Sequence, residues 1–185
     1  LRDLEAEISE ITRTPLSKHV AAARRARAAG NMNFLQCVPA WALVQLETSL
    51  ARGAIDMQGA DAAAITFLMQ LQHLIATWKH HPVFPAVAQE FVSDYHHTAT
   101  MFTLASYMAE HGNAVGFTRQ SGERSPDLFV NLSAHKRVSV EIKAKKSLRW
   151  PAAIPNESEL QKHVAKSCDK ARGQLTGNAG GIVAV

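Results

Sequence analysis

Apolar residues recur at intervals of three and four along the first half of the chain, and this spacing predicts amphipathic helices. The predicted helices cover residues 1–11, 15–29, 39–52 and 61–79. The last of these is strongly apolar, so we expect it to be the buried helix of this part. A longer helical stretch is predicted over residues 86–111, with a candidate interruption at His96 and His97.

Two prolines separate these helical stretches. Pro82 and Pro85 end one helix and disfavour starting another before they pass, because each fixes its own backbone and restricts the residue before it. We therefore expect a domain boundary here, between an all-helical region of residues 1–85 and a second region of residues 86–185. The apolar run that ends the second region leads us to expect that more chain follows residue 185.

After residue 113 the apolar pattern changes from a helical period to the alternation of strands. Strands are predicted over residues 114–120, 127–132, 138–143 and 182–185, and a helix over residues 155–175. Residues 133–136 form a polar break that predicts a short hairpin connection. From residue 86 the predicted order is therefore helix, three strands, helix, strand, which is an α/β fold.

Composition restricts the classes of protein to consider. With 185 residues and 46% hydrophobic content, the chain can bury the core of one sizeable domain or two small ones. No apolar stretch is long enough for a membrane span. Cys37 and Cys168 are far apart and belong to no CxxC pair, which argues against a disulfide framework or a zinc site and favours the reducing cytoplasm.

Charge is distributed unevenly between the two regions. Residues 1–111 carry eight Lys and Arg against ten Asp and Glu, a net charge of −2, whereas residues 112–185 carry twelve against six, a net charge of +6. A basic surface binds a phosphate backbone by releasing counterions, so the asymmetry favours a nucleic-acid substrate. The alternative, which charge alone leaves open, is that the basic residues only keep the domain soluble.

Three charged residues lie at the ends of two neighbouring predicted strands. Alternation along residues 138–143 puts Glu141 and Lys143 on one face of the strand, opposite its apolar face. If the strands pair antiparallel, Asp127 at the start of one lies near both residues at the end of the next. Two carboxylates supply the hard oxygen ligands that Mg²⁺ or Mn²⁺ needs, and a lysine beside them can position an attacking water. The alternative is a surface hairpin with a solvated ion pair between Glu141 and Lys143.

The pair Pro126-Asp127 and the triplet Glu141-Ile142-Lys143, in this register, resemble the PD-(D/E)xK nuclease superfamily, which includes many restriction endonucleases. The resemblance implies a restriction-endonuclease-like αβββαβ core over residues 86–185. It also implies hydrolysis of DNA phosphodiester bonds with Mg²⁺ or Mn²⁺, by an endonuclease of restriction or defence. Asp127, Glu141 and the backbone carbonyl of Ile142 would bind the metal, and Lys143 would orient the water.

Three further residues are candidates because of where the family places polar side chains. Many members carry another acidic metal ligand on the first core helix, where Glu110 is a candidate beside the alternative of a solvated surface residue. Members often have a polar residue of the second core helix pointing at the site. Gln174 and Lys170 are therefore candidates for substrate binding, and the competing interpretation is a helix surface without function.

A basic cluster directly follows the proposed catalytic lysine. Lys145, Lys146 and Arg149 end at Trp150, and such a cluster could follow the phosphates of a bound nucleic acid. We predict that these three basic residues bind substrate, while a solvated strand end remains the alternative. The expected partner is DNA, with no membrane contact.

Two functions other than cleavage remain open. One is a nuclease fold that binds nucleic acid or a protein partner without cutting. The other gives the helical region the main role, as an adaptor that forms homo-oligomers and carries the nuclease core as its effector.

Overall fold

The chain divides into two compact units, Leu1–Ala99 and Thr100–Val185. A computed structural model describes residues 1–31, 36–118, 126–144, 149, 155–175 and 179–185. The fold is mixed α/β, as the sequence predicts. The boundary expected near residue 86 falls inside the first of these units. Within the described ranges, no helix is both long and apolar enough to cross a membrane.

The first unit is helical throughout the part that is described. Its helices are α1 (Arg2–Thr12), α2 (Leu16–Ala28), α3 (Val38–Ala51), α4 (Gly59–Trp78), α5 (Phe84–Val87) and α6 (Glu90–Ser93), followed by the start of α7 (Tyr95–Glu110). The four helices predicted before residue 80 are confirmed with small shifts at their ends. Such shifts are expected, because a repeating apolar pattern locates a helix better than it locates the helix ends.

The most buried helix of this unit is α3, which packs against α2, α4 and α6. All residues from Val38 to Val44 are buried, so this part of α3 is covered on every side. Helix α4 buries only one stripe, which includes Leu68, Leu71 and Ile75, and leaves Met69 exposed. The expectation that residues 61–79 form the buried helix was therefore wrong, because apolar content does not say how many sides of a helix find partners.

The region after the two prolines also differs from the prediction. Helix α5 begins at Phe84 with Pro85 in its first turn, where the missing N–H would have no partner inside the helix anyway. The long helix expected over residues 86–111 is divided into α5, α6 and α7, and Asp94 interrupts it with a φ of −142°. The interruption lies just before His96 and His97, close to where it was expected.

The second unit contains a four-stranded sheet. After the end of α7 come β1 (Ala114–Phe117), β2 (Leu128–Ser133), β3 (Lys136–Ile142), α8 (Glu157–Ala171) and β4 (Gly181–Ala184). The strands lie in the order β1-β2-β3-β4, with antiparallel pairing from β1 to β3 and parallel pairing between β3 and β4. The predicted order of helix, three strands, helix and strand is confirmed.

Both faces of β3 are covered. Ser139, Val140, Glu141 and Ile142 are all buried, although the sequence predicted burial of one face only. On the face of Val140, Phe117 of β1 contacts Phe102 of α7, with ring centroids 5.2 Å apart.

The other face of β3 is covered near β4. Gly181 pairs with Ser139, and a Cβ atom at Gly181 would lie 2.8 Å from the Cβ atom of Leu175. Leu175 therefore lies directly on the sheet at this point. A polar face of a central strand is buried when a following segment packs over it, which the alternating pattern does not report.

Candidate functional site

The predicted antiparallel pairing brings Asp127 to the end of β3. Leu128 pairs with Val140, so Asp127, directly before β2, reaches the last residues of β3. Its side-chain Oδ2 accepts a hydrogen bond from the backbone N–H of Ile142 at 2.7 Å. The half-buried Asp127 carboxylate is thus bound to the residue that follows Glu141.

Pro126 explains why a side chain takes this N–H. If the ladder between β2 and β3 continued, Pro126 would lie opposite Ile142. Proline has no N–H and cannot donate to the carbonyl of Ile142, so the ladder ends there. The N–H and C=O of one strand residue point to the same edge. The Ile142 carbonyl therefore faces the side of Asp127 and receives no ladder bond from Pro126.

Thr118 anchors Asp127 from β1 and was not singled out in the sequence. Its backbone N–H and its Oγ1 donate to the Asp127 carbonyl at 3.2 and 3.0 Å. Because Phe117 pairs with Leu128, Thr118 lies opposite Asp127. The register between β1 and β2 would have identified Thr118 as the neighbour of Asp127, but the prediction of strands alone does not give that register.

Glu141 and Lys143 form an ion pair at a buried position. The Lys143 ammonium donates to Glu141 Oε1, and Glu141 is only 2% exposed. The alternative of a solvated surface hairpin is therefore wrong for Glu141. Burying a carboxylate costs several kcal/mol unless partners compensate for the lost water, and Lys143 is one such partner.

The backbone of Lys143 is fixed by β4. Its N–H donates to the carbonyl of Ala184 at 2.8 Å, which continues the parallel pairing of β3 and β4 by one bond. The root of the lysine side chain is therefore held by the sheet. The Lys143 side chain as a whole is 24% exposed.

Gln174 joins the same cluster. Its Oε1 accepts a hydrogen bond from Lys143 Nζ at 2.9 Å. The prediction that Gln174 lies on the second core helix was wrong, because α8 ends at Ala171 and Gln174 belongs to the turn that follows. The N–H of Gln174 donates to the Ala171 carbonyl at 2.8 Å within this turn. The expected direction of the side chain, toward the site, agrees with the structure.

Two more residues of the same sheet face were not among the predicted site residues, although the alternation along residues 138–143 already places Ser139 on this face. Ser139 is fully buried, and its Oγ has no hydrogen-bond partner within the described part of the chain. The guanidinium of Arg137 lies over the ring of Phe129 at 4.2 Å from its centroid. Arg137, Ser139 and Glu141 alternate along one face of β3, so parity alone could have identified them.

The structure does not bring the other predicted polar residues of the helices to this cluster. Glu110 is exposed at the last position of α7, and Lys170 is exposed in the last turn of α8. Across the described ranges, no group of three or more His, Cys, Asp or Glu side chains comes together. Glu110 is therefore not clustered there with Asp127 and Glu141.

One residue of the predicted basic cluster lies next to the site. The Arg149 guanidinium donates to the carbonyl of Ala144, the residue after Lys143, with Nε at 2.9 Å. Arg149 is thereby held close to the end of β3. Lys145 and Lys146 lie outside the described residues.

The oxygen donors at this strand end suit a hard divalent cation. Asp127 and Glu141 are carboxylates, and the Ile142 carbonyl is turned to the same edge without a ladder bond from Pro126. Mg²⁺ is commonly bound by one or two carboxylates, with water in its other positions. The ammonium of Lys143 contacts Oε1 of Glu141, so a metal ion bound at that oxygen would compete with this lysine.

Comparison with protein-family models, with curated proteins and with solved structures found no match for this chain.

Proposed function

We propose that this protein is a metal-dependent nuclease that hydrolyses DNA phosphodiester bonds with Mg²⁺ or Mn²⁺. One observation carries the proposal. The buried Glu141 pairs with Lys143 at the end of β3, where the Asp127 carboxylate also binds the backbone. The ion pair of Glu141 and Lys143 does not by itself account for a second carboxylate at this strand end, whereas a metal site commonly uses one or two.

The topology of the second unit supports the finer assignment of a restriction-endonuclease-like core. Three antiparallel strands are followed by a helix and by a fourth strand parallel to the third. This is the arrangement that the PD-(D/E)xK resemblance implies. The residues of the motif lie on the second and third strands or at their ends, as the family pattern requires.

In this proposal the residues divide the work by their chemistry. Asp127, Glu141 and the Ile142 carbonyl would hold the ion, which supplies charge neutralisation and lowers the pKa of a water. Lys143 orients the attacking water and stabilises negative charge that develops on the phosphate. The partly exposed lysine side chain is long enough to serve a substrate while its backbone stays fixed in the sheet.

DNA is the substrate that the charge distribution favours. The net charge of +6 over residues 112–185 lies in the same part of the chain as the proposed site. Arg149 is held beside the end of β3, and in this proposal its guanidinium binds a phosphate of the DNA backbone. Lys145, Lys146 and Lys170 complete the proposed substrate-binding set, although Lys170 is exposed on α8 and is not part of the cluster around Lys143.

The test is DNA cleavage by the wild type and by Asp127→Asn, with Mg²⁺, with Mn²⁺ and with a chelator. The asparagine keeps an oxygen for the Ile142 N–H but removes the charge, so the fold is preserved while cleavage falls by about a thousandfold or more. Asp169→Asn is the matched control, because Asp169 is exposed on α8, and it should cut at the wild-type rate.

Lys143→Ala separates metal binding by the carboxylates from the proposed role of the lysine in orienting water. It should lower the rate while Mn²⁺ still binds, because the carboxylates remain. Supercoiled, linear and single-stranded DNA are all included as substrates. Full activity of Asp127→Asn, or no cleavage by the wild type with either metal, would contradict the proposal.

A second candidate function is a nuclease fold that binds nucleic acid or a protein without cutting. The contact between Lys143 and Glu141 favours it, because a permanently bound ammonium would replace the metal. Mn²⁺ binding to the wild-type protein, measured by calorimetry, distinguishes the two. Absence of binding at millimolar Mn²⁺ supports the module that does not cut.

The proposed setting is the cytoplasm, in restriction or defence, with the helical region as a surface for homo-oligomers. Light scattering of the full chain at several concentrations tests the last point. A monomer at every concentration would contradict it.

A further inference from the structure

We propose that Gln174 is a positioning residue, which keeps the Lys143 ammonium at the site when a divalent cation takes its place on Glu141. This inference rests on the proposed function. It differs from the substrate-binding role that the sequence predicts for Gln174, because it assigns the glutamine to the lysine and not to DNA.

Lys143 has two acceptors for its ammonium group. One is Glu141 Oε1 on its own strand, and the other is Gln174 Oε1 at 2.9 Å, on the segment after α8. A metal bound at Oε1 of Glu141 withdraws the first acceptor, and its charge repels the ammonium. With Glu141 alone, Lys143 would then turn into solvent and leave the place where an attacking water must be oriented.

The second acceptor is suited to this task by its chemistry. An amide oxygen accepts a hydrogen bond from the ammonium but carries no charge, so it does not offer the metal a competing carboxylate. Because Gln174 is neutral, it also leaves the positive charge of Lys143 available to the phosphate.

Gln174 is held in place by its neighbours in the chain. Its N–H donates to the carbonyl of Ala171, which is fully buried at the end of α8. Leu175, the next residue, lies against the sheet at Gly181. The backbone of Gln174 is therefore held on both sides, so only side-chain freedom is lost when the amide binds the ammonium.

The first measurement follows the Lys143 ammonium in the metal-free protein by ¹H–¹⁵N NMR, assigned with Lys143→Met. Gln174→Met keeps the length of the side chain and removes the acceptor, so hydrogen exchange of the ammonium should become about three- to tenfold faster. Gln174→Glu restores an acceptor and should restore slow exchange. Gln161→Met, on the exposed surface of α8, is the matched control and should change nothing.

The second measurement is the affinity for Mn²⁺, compared in a double-mutant cycle of Lys143→Met and Gln174→Met. Lys143→Met removes the competing ammonium and should tighten Mn²⁺ binding. Gln174→Met should weaken it by about three- to tenfold, because the ammonium then depends on Glu141 alone. In the Lys143→Met background the same substitution should have no effect, since its action passes through the lysine.

The outcomes separate this inference from the proposed function. Unchanged ammonium exchange in Gln174→Met, or an equal effect of Gln174→Met on Mn²⁺ affinity with and without Lys143, overturns the positioning role. If exchange responds to Gln174 but the wild type binds no Mn²⁺, the nuclease proposal is overturned and the hold of Gln174 on Lys143 stands. Circular dichroism of each variant confirms that it is folded.

Discussion

Two carboxylates are buried to nearly the same extent in the two units, but their surroundings differ. Asp61 of the helical unit is 3% exposed, and Glu141 of the sheet is 2% exposed. The partners of Asp61 are fixed neutral donors, whereas Glu141 is bound by the ammonium of a long side chain. The comparison teaches that two carboxylates with equal burial can differ in the kind of donor that compensates them, and the proposed function uses this difference.

The network around Asp61 uses both of its oxygens. The Gln45 amide and the Ser49 hydroxyl donate to Oδ1, the latter at 2.7 Å, and the backbone N–H of Asp56 donates to Oδ2 at 2.9 Å. Arg52 adds a bond to Ser49 at 2.9 Å. The hydrogen bond from Gln45 is the main reason that the pKa of Asp61 is lowered from its ordinary value of 3.8, followed by the bond from Asp56.

The surroundings of Glu141 allow its hydrogen-bond partner to be replaced more easily. Lys143 is its partner on the same strand face, and the lysine divides its hydrogen bonds between Glu141 and Gln174. An ammonium on four methylene groups can move away, whereas the backbone N–H at Asp61 cannot. A divalent cation could therefore replace the partner of Glu141 without unfolding its surroundings.

The largest expected difference between the two carboxylates is in activity. Glu141→Gln should reduce DNA cleavage by about a thousandfold or more, because a metal ligand is lost. Asp61→Asn should leave the rate per folded molecule unchanged. Rates are measured with Mg²⁺ after the folded fraction of each variant is determined. Equal loss of activity in both variants would contradict the proposal that, of the two, only Glu141 takes part in cleavage.

The next largest expected effect is on stability, and here the substitution of Asp61 is the one that matters. Asp61→Ala should lower the free energy of unfolding by about 3 kcal/mol, because it leaves several buried donors without their acceptor. Urea unfolding followed by tryptophan fluorescence, to which Trp41 and Trp78 of the helical unit contribute together with Trp150, measures the loss. Asp3→Ala, at an exposed position of α1, is the control and should cost under about 1 kcal/mol. Similar values for both variants would show that the Asp61 network does not stabilise the fold.

A third experiment tests the packing on the sheet face that carries Glu141. Gly181→Ala should destabilise the second unit by about 2 kcal/mol, since the added Cβ atom would meet Leu175 at 2.8 Å. Gly116→Ala is the matched control on β1, where a Cβ atom has open space, and it should be neutral or slightly stabilising. Thermal unfolding measures both. A neutral Gly181→Ala variant would mean that Leu175 does not lie on the sheet.

The smallest expected effect is the dependence of stability on pH. Because the pKa of folded Asp61 lies below its unfolded value, the stabilisation is fully present above about pH 4 and is lost as pH falls through the lowered pKa. The difference in unfolding free energy between the wild type and Asp61→Asn should therefore narrow at acid pH. Urea unfolding at pH 7 and pH 3 measures it, and a constant difference would contradict the role of the ionised carboxylate.

Much of the fold and part of the candidate site were predictable from the sequence. The helices before residue 80, the change of period after residue 113 and the shared face of Glu141 and Lys143 all follow from repeating apolar positions. The end of α8 did not follow, because residues 172–175 carry no proline and only Gly173 weakens the helix. Gln174 was therefore placed on a helix when it lies in a turn.

Other parts of the site depended on pairing across the chain. The contact of Thr118 with Asp127 requires the register between β1 and β2, and the burial of Ser139 and Glu141 requires a segment packed over their face. Neither is visible in a local pattern. The sequence could likewise not show that α3, rather than α4, would be covered on every side.

By itself, the sequence determined which residue types alternate along each strand and which proline could not donate to its neighbour, because both properties are local to the backbone. The tertiary structure alone decided that Lys143 would be held between Glu141 and Gln174, thirty-one residues further along the chain. The physical reason is that a buried charge takes its partner from whatever packing brings within hydrogen-bonding distance.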